Sequence, residues 1–325
     1  DSLELGDCVG GGVFSGSDPT IADTDGDGID DGDEVYGTLD GLYLQTFGCN
    51  PCRSDILVET DWMHSGSSIE HNRLHINQMD RLVDAFNFAP TENPDGTFGV
   101  TLHIDRGQDP YSEGNSVLDP SGDSILDVGV GLSGSEFQTV KDANFDPIRH
   151  GYFHYCLLTD SYSIAGTTTS SSGLAETPGD DFIVAMGQWV TGNSNKIGHT
   201  FMHELGHNLG LRHGGFEDLN YKPNYNSVMN YWYQMCGADE NHDTIPDQRL
   251  DYSWGLNPFL MEEALFEPLG VTGEGPPIDW NVDGDTTDGD ASGSEPAHRN
   301  INCQMTNIIP SAICGTHTHQ PEFCF

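Results

Sequence analysis

Three histidines and a glutamate lie within eleven consecutive residues, His203-Glu204-Leu205-Gly206-His207-Asn208-Leu209-Gly210-Leu211-Arg212-His213. Residues four apart on a helix project from one face, so His203 and His207 can offer two imidazole nitrogens to one metal ion. Zinc accepts such ligands, and a catalytic zinc site uses three protein ligands and keeps one position for water. The spacing therefore predicts a zinc site formed by His203, His207 and His213.

The position of His213 requires the helix to end soon after His207. A continuing helix would carry the chain about 9 Å further and turn His213 away from the metal. Gly210 lies where a chain leaving a helix commonly adopts a positive φ, which glycine tolerates best. We therefore expect the helix to end near Gly210 and the chain to return His213 to the other two histidines.

Glu204 directly follows the first predicted ligand. A carboxylate in this position can take a proton from an activated water as that water attacks a carbonyl, and can pass the proton to the leaving amine. Glu204 is therefore the predicted catalytic base. Two other interpretations stay open: a non-catalytic, calcium-dependent adhesion or matrix module, and a zinc hydrolase whose substrate is not a peptide.

The complete H-E-x-x-H-x-x-G-x-x-H string resembles the zinc signature of the metzincin metalloproteases. The later segment Asn226-Ser227-Val228-Met229-Asn230-Tyr231-Trp232 resembles the Met-turn of that family. The resemblance implies that Met229 lies beneath the metal as an apolar base, and that Tyr231 reaches the metal or stabilises the oxyanion. The implied activity is that of a zinc-dependent endopeptidase acting on proteins.

The S-V-M-x-Y-W sequence of the turn most resembles that of serralysins, whereas the cysteine content is closer to that of pappalysin-like enzymes. The subfamily therefore stays open. The family implies an α/β (α+β) fold whose upper subdomain holds a twisted mixed sheet and two long helices. A lower subdomain after about Gly214 would carry the Met-turn and a C-terminal helix, for which residues 257–267 are the candidate. A peptide substrate would lie extended along the sheet edge.

Several segments have the hydrophobic patterns needed to position these residues. Strands are predicted at 55–63, 100–104, 152–158 and 181–189, and helices at 69–88 and 195–209. Residues 105–147 are expected to be mostly loop, and residues 161–180 an exposed loop. This strand–helix–strand order indicates a mixed α/β sheet. Three parts are expected: an acidic Gly/Asp-rich extension over 1–52, a catalytic domain over 53–270, and an acidic, Cys-containing extension over 271–325.

The N-terminal extension contains an acidic loop that matches the EF-hand pattern. Its candidate calcium ligands stand at loop positions 1, 3, 5, 7, 9 and 12, and they are Asp23, Asp25, Asp27, Ile29, Asp31 and Glu34. Gly28 stands at position 6, where the loop must turn sharply. The loop also resembles the calcium repeats of thrombospondin type 3 modules. A second candidate calcium loop is formed by Asp279, Asn281, Asp283 and Asp290.

The charge balance excludes one class of partner. The chain has 52 acidic and 11 basic residues, a net charge of −41. Nucleic-acid binding is excluded because contacts to phosphates need clustered Lys and Arg. So much like charge repels itself in a compact state, and bound calcium or high external salt would relieve the repulsion. Both explanations are compatible with the acidic loops.

Eight cysteines indicate up to four disulfides and an oxidising, extracellular compartment. Cys49 and Cys52 form a C-x-x-C pair, for which a structural disulfide is favoured over redox chemistry or half of a zinc site. No apolar run reaches the ~20 residues that a membrane span needs. We therefore expect a secreted protein from which a pro-segment has been removed.

Overall fold

The computed structural model describes residues 20–64, 73–108, 112–187, 195–239 and 247–255, with positions 189, 257, 260, 268, 277, 278, 286 and 287. The chain divides into two compact units, residues 1–198 and 199–325. The predicted mixed α/β class is confirmed. Of the C-terminal helix predicted over 257–267, the structure describes only residues 257 and 260. The four candidate calcium ligands Asp279, Asn281, Asp283 and Asp290 lie outside the described residues. The three-part division at residues 52 and 270 stays a prediction.

The regular elements alternate between strands and helices along the chain. In chain order they are α1 Asp31–Tyr36, β1 Asp55–His64, α2 Ile76–Asn87, β2 Thr101–Asp105, β3 Ser116–Leu118, β4 Ile125–Val128, α3 Glu136–Asn144, β5 Phe153–Thr159, β6 Ser161–Ile164, β7 Thr167–Thr168, β8 Gly173–Ala175, β9 Asp181–Ala185, α4 Asn195–Asn208 and α5 Tyr231–Gln234. Single turns of 3-10 helix lie at Leu44–Thr46 and Pro147–Arg149. No helix among the described residues combines the length and apolarity that crossing a bilayer requires.

The main sheet of the first unit has six strands in the order β2-β1-β5-β9-β8, with β3 also paired to β1. All of these pairs are parallel except β8–β9. The central strand β1 is buried at eight of its ten positions, as expected for a parallel strand covered on both faces. Helix α2 packs against β2 and buries Gln78, Leu82 and Phe86.

The predicted loops contain short elements that the sequence pattern did not indicate. Strands β3 and β4 and helix α3 lie within 105–147, a segment predicted to be mostly loop. Strands β6, β7 and β8 lie within 161–180, so the loop prediction is wrong at these strands. These strands have two to four residues, too few to establish a hydrophobic period. The strand predicted to reach residue 189 ends at Ala185.

The states of the described cysteines lower the expected number of disulfides. Cys52 and Cys236 each take part in a disulfide, whereas Cys49 is a buried thiol outside any disulfide. The two cysteines of the C-x-x-C pair are therefore not joined to each other. Four disulfides would need all eight cysteines, so the upper limit of four is wrong.

A buried cation joins three parts of the first unit. The Arg149 guanidinium, 2% exposed, lies 2.5 Å from a Glu59 carboxylate oxygen on β1 and 2.7 Å from an Asp105 oxygen on β2. Beside it, the Tyr155 hydroxyl donates to Asp61 at 2.8 Å. Buried carboxylates need such partners because their ionised form is strongly disfavoured without water.

Replacing Arg149 should therefore destabilise the sheet. Arg149→Leu leaves Glu59 and Asp105 without their cation, and we expect a loss of about 3–5 kcal/mol in the free energy of unfolding, measured by urea denaturation. Arg53→Leu is the matched control, because Arg53 pairs with Asp95 while its side chain is 46% exposed. That variant should lose less than about 1 kcal/mol. Equal losses would contradict a special role for Arg149.

Candidate metal centre

Helix α4 carries the first two predicted ligands on one face. His203 and His207 are one turn apart, and their ring centroids lie 4.8 Å from each other. The His213 ring lies 4.8 Å from that of His207 and 5.3 Å from that of His203. The structure thus brings all three predicted zinc ligands together, and one nitrogen of each lies within 4.8 Å of the other two.

Two backbone hydrogen bonds end α4 and bring His213 back. The Gly210 N–H donates to the His207 carbonyl and the Leu211 N–H donates to the Gly206 carbonyl, both at 2.8 Å. Gly210 has φ 89°, and these two bonds form the Schellman ending that a residue of positive φ allows. The chain therefore reverses within three residues of Gly210, as the spacing of the histidines requires.

Two of the histidines have the orientation of metal ligands. His203 Nδ1 lies 2.8 Å from the Val228 carbonyl oxygen, and His207 Nδ1 lies 2.8 Å from the Leu211 carbonyl oxygen. A carbonyl only accepts, so each Nδ1 carries the proton and each Nε2 keeps a lone pair. Metal-binding histidines are typically fixed in this way by a donor bond from the other ring nitrogen.

The separation of the ring nitrogens fits a zinc ion. His207 Nε2 and His213 Nε2 are 3.2 Å apart. Two ligands of a tetrahedral zinc at 2.0–2.1 Å would be roughly 3.3 Å apart. One pair of nitrogens therefore has the separation of two zinc ligands, and the third, from His203, lies within 4.8 Å of both.

Burial keeps these histidines neutral. Burial and the neighbouring His207 and His213 hold the pKa of His203 well below its usual value. The pKa of His213 falls to about 4 because of burial first and the neighbouring His207 second. Burial raises the pKa of the Glu204 carboxyl to about 8. Neutral imidazoles present lone pairs, and a carboxylate of raised pKa is an effective proton acceptor.

The Met-turn residues lie against this helix. Met229 is fully buried, and the Asn230 side chain caps α5 by accepting the Trp232 N–H at 3.1 Å. The Tyr252 hydroxyl donates to the Met202 carbonyl of α4 at 2.6 Å. A Cβ added at Gly206 would overlap Met229 Sδ and lie 2.9 Å from the Tyr252 ring. Position 206 therefore needs glycine because two side chains occupy the space beside it.

Tyr231 lies beside the histidine cluster. Its ring centroid is 4.4 Å from that of His213 and 5.6 Å from that of His203. Its backbone N–H donates to Asn220 Oδ1 at 3.0 Å, and its ring meets that of Tyr221 edge-on at 6.0 Å. Sequence reasoning did not single out Asn220 or Tyr221, which lie between the two motifs. Tyr221 has φ 62°, which a bulky residue rarely adopts.

Gly206→Ala should disturb the centre through Met229. Overpacking costs about 1–3 kcal/mol, against a gain of about 1 kcal/mol from the better helix propensity of alanine. We expect the variant to lose zinc at a lower chelator concentration than the unsubstituted chain, as measured by metal analysis after dialysis. Adding Met229→Ala should restore part of the retention by making room. Unchanged retention in Gly206→Ala alone would contradict the tight contact.

A second cluster of candidate ligands lies in the first unit. The carboxylates of Asp23, Asp25 and Asp27 lie within 4.8 Å of one another. The Asp23 side chain accepts the N–H groups of Gly26 and Gly28 at 2.7 and 3.0 Å, which fixes the turn. Carboxylate oxygens grouped in this way are the ligands that calcium prefers.

Three further positions of the loop have distinct environments. Glu34, at position 12, belongs to a second triad with Asp27 and Asp55. The Asp31 carboxylate, at position 9, instead accepts the N–H and O–H of Thr24 and lies in neither triad. Ile29 buries its side chain in the core. Asp55 was missed because it lies 21 residues beyond Glu34, outside the motif.

The acidic cluster is electrostatically unfavourable without a cation. Burial, followed by the charges of Asp25 and Asp27, raises the pKa of Glu34 to about 10. Burial and Asp27 raise the pKa of Asp25 to about 7, and burial raises that of Asp27 to about 6. A divalent ion would favour the ionised form of all three groups.

Comparison of the chain with protein-family models and with curated proteins yields no match. The metzincin resemblance is therefore carried by the motif residues.

Proposed function

We propose that this chain is a secreted zinc-dependent endopeptidase of the metzincin type. The observation that carries the proposal is the group of three neutral imidazoles around the end of α4, with His203 buried, His213 partly buried, and the Nε2 atoms of His207 and His213 3.2 Å apart. The same helix bears the buried Glu204. The mixed sheet of the first unit and the two longest described helices, α2 and α4, support the family fold. The disulfide-bonded Cys52 and Cys236 support an extracellular location.

The residues of the centre would divide the chemistry between them. His203, His207 and His213 would hold zinc, which as a Lewis acid polarises a carbonyl and lowers the pKa of water. Glu204 would take the proton of the attacking water and pass it to the amine that leaves. The Tyr231 hydroxyl would donate to the oxygen on which negative charge develops. Met229 would provide the apolar floor of the site.

Proteins or peptides are the proposed substrates, and removal of a pro-segment the proposed activation. An amine is a poor leaving group, so hydrolysis of a peptide bond requires that a proton be transferred to its nitrogen. A glutamate whose pKa is raised can transfer that proton. A module that only binds partners would need neither Glu204 nor an ordered Tyr231 beside the histidines.

Glu204→Gln should separate metal binding from catalysis. The amide cannot accept the proton, so we expect the rate of casein hydrolysis to fall by about 10²–10⁴-fold while zinc content stays at that of the unsubstituted chain. The matched control is Glu92→Gln, an exposed position in the first unit, which should keep full activity. Activity and zinc content are measured on the same preparations.

Two outcomes would contradict the proposal. If Glu204→Gln cleaves as fast as the unsubstituted chain, Glu204 is not the base. If zinc-loaded protein cleaves neither proteins nor peptides with calcium present and any pro-segment removed, the calcium-dependent binding module becomes the better account. Cleavage of a non-peptide ester or amide alone would favour the other zinc hydrolase.

We also propose that the loop from Asp23 to Glu34 binds calcium. Support comes from its two overlapping triads of carboxylates and from the Asp25 Oδ2 and both Glu34 oxygens, which are buried and lack hydrogen-bond partners. Calcium takes six to eight oxygen ligands, and a glutamate at position 12 of such a loop supplies two of them. The bound ion would offset part of the acidic charge of the chain.

A further inference from the structure

Asp55, the first residue of β1, contacts three segments of the first unit. Its side chain is 1% exposed, with one oxygen 2.5 Å from His103 Nε2 on β2. The other oxygen accepts the Asn50 N–H at 2.9 Å. Its backbone N–H donates to Asp27 of the acidic loop at 2.7 Å. Asp55 therefore lies where the loop, the segment before β1 and the sheet meet.

Glu34 points into the same place with no partner of its own. It is 1% exposed, and neither Oε1 nor Oε2 has a hydrogen-bond partner. Its carboxylate lies within 4.8 Å of those of Asp27 and Asp55. A carboxylate this deeply buried needs a cation or donors to be stable in its ionised form.

Protein groups supply little positive charge at this position. Five carboxylates gather around the loop, and they are Asp23, Asp25, Asp27, Glu34 and Asp55. Within the described part of the chain, His103 is the one basic side chain that pairs with any of them. A single histidine cannot balance five acids, so the cluster has the charge and the oxygen ligands that a calcium ion requires.

We propose that Asp55 is a ligand of the same calcium ion as Asp27 and Glu34, so that the ion joins the acidic loop to the first residue of the central strand. The inference rests on the calcium site proposed above and goes beyond the loop motif, because Asp55 is supplied by the sheet. The calcium ion then holds residues 23–34 against β1, which pairs with β2 from Asp55 onward.

The reactivity of the Cys49 thiol can report whether the acidic loop is held against β1. The residue is 4% exposed, and its thiol lies within 4.8 Å of ligand atoms of Asp55 and His103. Removing the ion would leave the five carboxylates to repel one another and would loosen the loop from β1, and Ile29 of that loop belongs to the same buried core as Cys49. Calcium binding therefore controls the reactivity of this thiol.

The test is calcium titration of the chelator-treated full chain, monitored by calorimetry. Asp55→Asn should weaken calcium binding by about tenfold or more, and Asp25→Asn should weaken it as well. Asp40→Asn is the matched control, since Asp40 is exposed in the same segment, and should bind like the unsubstituted chain. If Asp55→Asn does not fold without the ion, calcium is instead withdrawn from the loaded proteins with a competing chelator of known affinity.

Iodoacetamide labelling, mapped by mass spectrometry, provides the second readout. Cys49 should react about tenfold or more faster in EGTA than in calcium, because loosening the loop would disturb the core that buries it. Cys156, fully buried in β5, should stay unlabelled in both. In Asp55→Asn, Cys49 should react rapidly at calcium concentrations that protect the unsubstituted chain.

The outcomes separate the two proposals. Wild-type affinity in Asp55→Asn together with loss of binding in Asp25→Asn would overturn the role of Asp55 and leave the loop site standing. Absence of calcium binding in the unsubstituted chain would overturn both. A Cys49 rate that does not depend on calcium would overturn the coupling. None of these readouts uses proteolysis, so the zinc proposal is tested separately.

Discussion

The proposed zinc centre depends on the hydrogen bonds that fix its imidazole rings. His203 and His207 each direct Nδ1 at a backbone carbonyl, of Val228 and Leu211 respectively. One carbonyl belongs to the Met-turn and the other to the reversed end of α4. The same two bonds therefore set the tautomer of the ligands and place the turn and the helix end. Two glycines allow this arrangement. Gly206 leaves room for the Met229 side chain, and Gly210 adopts the positive φ with which the helix ends.

A second constraint is the acidity of the chain. Its buried carboxylates are stabilised in two different ways within the first unit. Glu59 and Asp105 share the buried guanidinium of Arg149, so protein charge balances them. Glu34 has no such partner, and its ionised form depends on a cation. The chain has 11 basic residues against 52 acidic ones, and the proposed calcium ion would supply the positive charge that Glu34 lacks.

The clustering of the three histidines and the central elements could be predicted because local spacing encodes them. His203, His207 and Gly210 follow from helix geometry and helix ending, and β1 follows from the apolar residues Ile56-Leu57-Val58 and Trp62-Met63. The short strands between 105 and 180 could not be predicted, because each has only two to four residues and because β3 and β4 pair with strands distant in the chain. Asp55, Asn220 and Tyr221 were missed for a related reason: the fold brings each to its site, and no motif contains them.

The most direct test of the account is X-ray absorption spectroscopy at the zinc edge of the metal-loaded protein. The account predicts a first shell of light atoms only, at about 2.0–2.1 Å, with the outer-shell scattering of three imidazole rings. A sulfur shell at about 2.3 Å would contradict it, because thiolate ligands would place the zinc at cysteines instead of at His203, His207 and His213.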